Sequence, residues 1–121
     1  MNAISKNLVQ LTGHLGNDVQ MLNFDNGYKK CSFSLAVNNS YTAANGESKK
    51  DTSWFNIVSW GKIAEQMSAV LAKGVEVGLE GKISNRKYID KNGVNKYITE
   101  IVVSDFVVVE KTDKETNEVL T

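Results

Sequence analysis

The two residue types that most often carry catalysis occur once each in this chain, as His14 and Cys31. A single histidine cannot build a histidine-rich metal site, and most acid–base constellations lack their parts. His14 alternates with inward-facing residues along a predicted strand, which makes it a surface histidine. Cys31 shares a strand face with Phe33, Leu35 and Val37, so it reads as a small buried hydrophobe rather than a nucleophile. The glycines of Gly13-His14-Leu15-Gly16 lack the strand-to-helix setting of a phosphate-cradling loop. The residues therefore predict no enzyme, no metal site and no cofactor.

Aromatic and basic side chains offer a different chemistry. Trp54, Asn56, Val58 and Trp60 fall on one face of a period-two segment, with Phe55, Ile57 and Ser59 on the other. Two readings follow from this strand. The tryptophans are core or subunit interface, or they form an exposed platform on which each stacked base contributes about 1–3 kcal/mol. On this strand alone both stay open. In a later segment Leu79, Gly81 and Ile83 take the inward parity, which leaves Lys82, Ser84, Arg86 and Tyr88 outward. A ring in register with two cations suits a surface, since buried unpaired charge is costly. Lys87 follows on the other side, and Lys91 and Lys96 bracket the hairpin tip. Cations interleaved with rings suit a single nucleic-acid strand, which offers a charged backbone and a π-face on every base. The polar loop from Asn38 to Asp51 adds Tyr41, with Lys49 and Lys50 across from it.

The elements that position these residues are mostly strands. Asn-Gly occurs at Asn26-Gly27, Asn45-Gly46 and Asn92-Gly93. Both residues tolerate the positive φ of tight hairpin turns, and each pair lies between alternating segments. The first strand alternates Val9, Leu11 and Leu15 with Gln10, Thr12 and His14; the second puts Cys31, Phe33, Leu35 and Val37 on one face. The third runs from about Thr52 to Trp60, the fourth carries Val75, Val77, Leu79 and Ile83 on one side, and the fifth runs from Val94 to about Val109. Between the third and fourth, Ile63, Met67, Val70 and Leu71 make a helical stripe, with Lys73 suited to the negative end of the helix dipole and Gly74 to its stop. Three strands, a helix and a final hairpin predict an all-β fold, the OB-fold: a five-stranded Greek-key barrel with one helix between strands 3 and 4.

Bulk properties agree with one domain. Hydrophobic residues make up 41% of the 121 positions and charged residues 23%, within the globular range. The expected division is a barrel domain at 1–109 and a short polar, flexible tail at 110–121. Net charge is zero, but residues 1–105 hold 12 Lys+Arg against 10 Asp+Glu while 106–121 hold 2 against 4. The body is thus only weakly basic, and electrostatics rest on local placement. One cysteine, no apolar run long enough to span a bilayer and no signal-like N-terminus point to the cytoplasm.

At this level of detail the chain resembles the bacterial single-stranded DNA-binding protein family over about residues 6–105. The residues that carry the resemblance begin with Leu11-Thr12-Gly13-His14-Leu15-Gly16-Asn17-Asp18 and Phe33-Ser34-Leu35-Ala36. They continue with Thr52-Ser53-Trp54-Phe55-Asn56-Ile57-Val58, Trp60-Gly61-Lys62-Ile63-Ala64-Glu65, Leu79-Glu80-Gly81-Lys82, Arg86-Lys87-Tyr88 and Tyr97-Ile98-Thr99-Glu100-Ile101. The ordered set at this spacing is highly specific. The resemblance implies base-stacking roles for Tyr41, Trp54, Trp60 and Tyr88, and backbone-contacting roles for Lys62, Lys73, Arg86 and Lys87. It also implies a homotetramer that binds single-stranded DNA in the cytoplasm, associated with the nucleoid, during replication, repair or recombination. Together with Lys49 and Lys82 from the loop and strand readings, these ten residues are the candidate site.

The departures carry information too. Phe55 stands where the family usually has His, and Asn56 where Arg is frequent. Asp18-Val19 replaces a common Asp-Pro, and Ser84 replaces a basic residue two positions before Arg86. Fewer cations imply a shallower salt dependence of binding. Family members usually continue through a Gly/Pro/Gln-rich linker to an acidic tip that recruits replication and repair proteins, whereas this sequence ends at Glu118-Val119-Leu120-Thr121. Either the sequence is truncated or it is that of a tail-less relative; replication and repair proteins stay among the candidate partners, without the tip that usually recruits them. Two other OB-fold functions use aromatic surfaces. A primosomal-type protein-interaction module would bury them against a partner. An oligosaccharide binder would have no use for Arg86-Lys87 beside them. RNA offers the same charge and π-faces, and nothing in the sequence reads a 2′-hydroxyl.

Overall fold

The computed structural model describes residues 6–109; the predicted tail at 110–121 lies outside them. Six strands and one helix follow in the order β1 (Val9–Leu15), β2 (Gln20–Asn23), β3 (Lys29–Thr42), β4 (Ser48–Trp60), α1 (Gly61–Val70), β5 (Glu76–Ile89) and β6 (Asn95–Val108). The strand order is β1-β5-β6-β4-β3-β2, and β1 also pairs β3 through His14–Ala36 and Leu15–Leu35. That second pairing closes β1, β3, β4, β6 and β5 into the predicted five-stranded barrel, with α1 between its third and fourth strands. The β4–β6 contact is parallel and the other pairings are antiparallel. The short β2, which the sequence did not announce, lies outside the closed ring along β3.

Closure gives the alternating apolar face something to bury against. Leu15, Cys31, Phe33, Leu35, Ile57, Val77, Leu79, Ile101 and Val103 fill the interior. The helix packs on β3, β4 and β6 and adds Ala64 and Met67. A fully buried Leu35 or Met67 side chain contributes about 1.5–3 kcal/mol relative to exposure. Burial pushes the Cys31 thiol above its ordinary value, with the neighbouring Ser59 hydroxyl working the other way. The inert cysteine expected from its neighbours is what this environment produces.

The three Asn-Gly sites are all hairpin tips, but of another type than two left-handed residues would make. Only the glycines take positive φ, at 83° for Gly27, 87° for Gly46 and 80° for Gly93. At the first tip Gly27 N–H donates to the Phe24 carbonyl and Phe24 N–H to the Tyr28 carbonyl, both at 2.8 Å, and the same bonds recur around Gly46 and Gly93. Each is a three-residue loop in which a right-handed turn ends on a left-handed glycine. At the first two tips the asparagines serve through their side chains instead, Asn26 Oδ1 accepting from Tyr28 N–H and Asn45 Oδ1 from Glu47 N–H, while at the third Asp90 Oδ1 accepts from Asn92 and Val94 N–H.

Two local expectations are corrected. Helix α1 ends at Val70 with Leu71 already extended, so neither Lys73 nor Gly74 caps it. The positive φ of Gly74 instead lies in the turn in which Val75 N–H donates to the Ala72 carbonyl. Ile83 keeps the inward parity opposite the buried Ile101 yet is 46% exposed. The reason is that β5 outruns β1, whose pairing stops at Val9–Gly81, so no strand covers it. None of the described helices is long and apolar enough to cross a membrane.

Candidate nucleic-acid interface

The β3–β4 ladder runs unbulged from Lys30–Trp60 to Thr42–Ser48, so side-chain faces follow directly from its register. Trp54 and Trp60 project outward from β4, 63% and 37% exposed. Six residues at strand rise put their Cα atoms roughly 20 Å apart. The platform reading, one of two left open by the strand alone, is the geometry found. Val58, in the same row, is buried between them.

The wall between the two indoles is a shallow groove of about 320 Å³, with Lys30, Ser32, Ser34, Asn56, Arg86 and Glu100 among its lining residues. Its floor is polar and mostly neutral, with amides and hydroxyls that can meet base edges of any identity. At its β5–β6 side Arg86 donates from Nε and Nη2 to the two Glu100 carboxylate oxygens, both at 3.1 Å. This bidentate bond raises the Arg86 pKa beyond its ordinary value. The same guanidinium lies 6.0 Å from the centroid of the Tyr88 ring, which is 41% exposed. Arg86 therefore reaches the groove with its charge already partnered by a buried carboxylate.

Trp54, Trp60, Tyr88 and Arg86 thus share one outward surface, and Lys82, exposed on the outward row of β5, extends it. Other predicted residues lie elsewhere. Tyr41 pairs with Lys49 on the parity opposite to Trp54, so both sit on the other face of the β3–β4 arm. Lys49 is also within 3.5 Å of the Glu47 carboxylate. Lys87 pairs with Tyr97 on the face of the β5–β6 hairpin opposite to Tyr88. Lys62 lies in the first turn of α1, and Lys73 in the loop after it, where its N–H donates to Asp18 Oδ1 at 2.8 Å. His14 is a surface residue, its Nε2 4.0 Å from the Glu76 carboxylate.

Sequence reasoning missed three residues beside Trp60. Phe24 and Tyr28 stack on the indole at centroid separations of 6.1 and 5.7 Å, and Lys30 Nζ lies 5.4 Å from its centroid. The available signal was a pair of aromatics flanking Asn26-Gly27, which a hairpin turn pairs across its closing residues.

Comparison with known proteins places this barrel. A model of the single-strand binding protein family matches residues 6–109. The chain is 40% identical over 100 residues to Single-stranded DNA-binding protein 1 of Chlorobaculum tepidum, a match covering 82% of this chain and 62% of that relative. It thus spans less than two thirds of the curated relative's length. Among solved structures it is similar to a Plasmodium falciparum SSB in complex with ssDNA, at a TM-score of 0.80 and 32% identity over 91% of this chain and all of the other. A deletion mutant of the single-stranded DNA binding protein from Thermus aquaticus shares the fold at a TM-score of 0.76 and 23% identity, covering 86% of this chain and 50% of that one. With the closed barrel, its helix and the family match in agreement, the chain belongs to the single-strand binding protein family.

Proposed function

We propose that this chain binds single-stranded DNA without sequence preference and protects it during replication, repair and recombination, acting by binding rather than catalysis. The observation that carries the reading is the pair of outward indoles, Trp54 and Trp60, on the β4 row whose intervening Asn56 and Val58 line a polar groove together with Arg86, which itself lies beside the Tyr88 ring. Bases stack on the rings while the cations displace counterions from the phosphates. Tyr41, with Lys49, meets the strand further out along the β3–β4 arm, and Lys62, Lys73, Lys82 and Lys87 supply backbone contacts around the barrel. The family match and the ssDNA-bound relative support this reading. Assembly as a homotetramer in the cytoplasm belongs to the same proposal, because strand wrapping over several copies would join faces that one barrel holds apart.

The test is a titration with oligo-dT followed by tryptophan fluorescence, repeated at high salt. Strong quenching that weakens with salt is expected. Emission unchanged at stoichiometric DNA rules out the tryptophans as the platform. Replacing both by alanine should weaken binding by at least tenfold, and intact affinity would show that stacking is not the mechanism.

A further inference from the structure

Trp60 differs from Trp54 in having company. The tip of the β2–β3 hairpin folds over it, so that Phe24 and Tyr28, the two residues that close the turn, lie nearly parallel to the indole at interplanar angles of 23° and 21°. Offset stacking of this kind leaves π-faces and ring edges available. Both rings remain substantially in water, 43% exposed for Phe24 and 49% for Tyr28, although each is large and apolar. Closing a three-residue hairpin loop does not require aromatic residues, and their contact with Trp60 hides only about half of each. The indole itself is left 37% exposed. A base arriving at Trp60 therefore meets a three-ring surface rather than a lone indole. Lys30, within reach of the same ring, makes no ion pair among the described residues, whereas its neighbour Lys29 is held 3.6 Å from Glu65.

We propose that Phe24 and Tyr28 are nucleic-acid contacts, extending the stacking platform of Trp60 onto the β2–β3 hairpin so that it carries one further base. The inference rests on the single-stranded DNA reading above and adds two binding residues to it. In this arrangement Trp60 acts as the anchor that orients the hairpin rings, and the base track turns from β4 toward the β2–β3 tip.

Two measurements test the proposal. The first compares wild-type protein with the double variant F24L/Y28L, whose leucines keep apolar contact with Trp60 but offer no π-face. Loss of one stacked base corresponds to roughly 5- to 150-fold weaker binding of long oligo-dT, expected with an unchanged thermal midpoint. The second, needing no variant, is ultraviolet crosslinking of wild-type protein to oligo-dT, followed by mapping of tryptic peptides. Phe24 and Tyr28 lie in the fragment 7–29, and Trp54 and Trp60 in 51–62. Crosslinks localised to Phe24 or Tyr28 support the proposal. Affinity of the leucine variant within twofold of wild type, or crosslinks in 51–62 with none in 7–29, overturns the hairpin's part alone. Wild-type protein that leaves oligo-dT free overturns the single-stranded DNA reading and this extension together.

Discussion

Trp54 owes its position to the absence of a side chain elsewhere. A Cβ at Gly16 would stand 2.5 Å from the indole Cζ3, so the ring lies across residue 16 and the loop leaving β1. A Gly16→Ala substitution should displace the ring while touching no buried core residue. We expect a shift in tryptophan emission and a several-fold loss of oligo-dT affinity, with the urea midpoint nearly unchanged. Arg86 shows a second dependence. Its partner Glu100 has a side chain only 8% exposed, against 47% for Arg86. Arg86→Ala leaves a buried carboxylate without its bidentate donor, which should cost about 1–2 kcal/mol of stability by urea unfolding. Adding Glu100→Gln to that variant removes the stranded charge and should recover most of the loss. Stability of the double variant no better than that of Arg86→Ala would show that the pair is not what Arg86 supports.

The hairpins are the elements that carry the rings away from the barrel, and their tips depend on single residues. At Gly93 φ is 80° and an added Cβ would meet nothing within 4 Å, so the effect of Gly93→Ala is conformational. About 1 kcal/mol of destabilisation is expected, read as a lower urea midpoint with the binding surface of the barrel intact. These tips were legible in the sequence because Asn-Gly between alternating runs is a local signal. The turn type was not, since it depends on the asparagine and Asp90 side chains accepting backbone N–H groups. The helix was legible from Met67 and its apolar spacing. Its end was misread at Lys73 and Gly74, because Leu71 turns inward to the core a full turn earlier than the charge pattern suggests.

For the whole molecule, the described residues hold 12 Lys+Arg, of which only three sit beside a carboxylate. Lys29, Lys49 and Arg86 each have an acidic partner within 4.0 Å. Lys30, Lys50, Lys82, Arg86 and Lys96 are the cations on the outward rows that also carry Trp54, Trp60 and Tyr88. The six phosphate contacts proposed for Lys49, Lys62, Lys73, Lys82, Arg86 and Lys87, at about 0.7 each, give a log-affinity against log-salt slope of roughly −4 for a single strand. A slope of about −5 or steeper, measured with oligo-dT from low to high salt, would show that stacking is the smaller share of the affinity.

Alternation and turn chemistry were enough to specify a five-stranded barrel with a helix before its last hairpin, to put Tyr88 on an outward row, and to put Trp54 and Trp60 on one shared face whose side, core or surface, was settled by the structure. Both signals are local, written in neighbouring residues. What only the tertiary structure decided is non-local. Pairing register sent Tyr41 and Lys87 to the opposite faces of their hairpins, closure left Ile83 uncovered beyond the end of β1, and the β2–β3 tip brought Phe24 and Tyr28 onto Trp60. Parity along one strand says which side a residue takes, but which residues meet there depends on the strands and loops that fold against it.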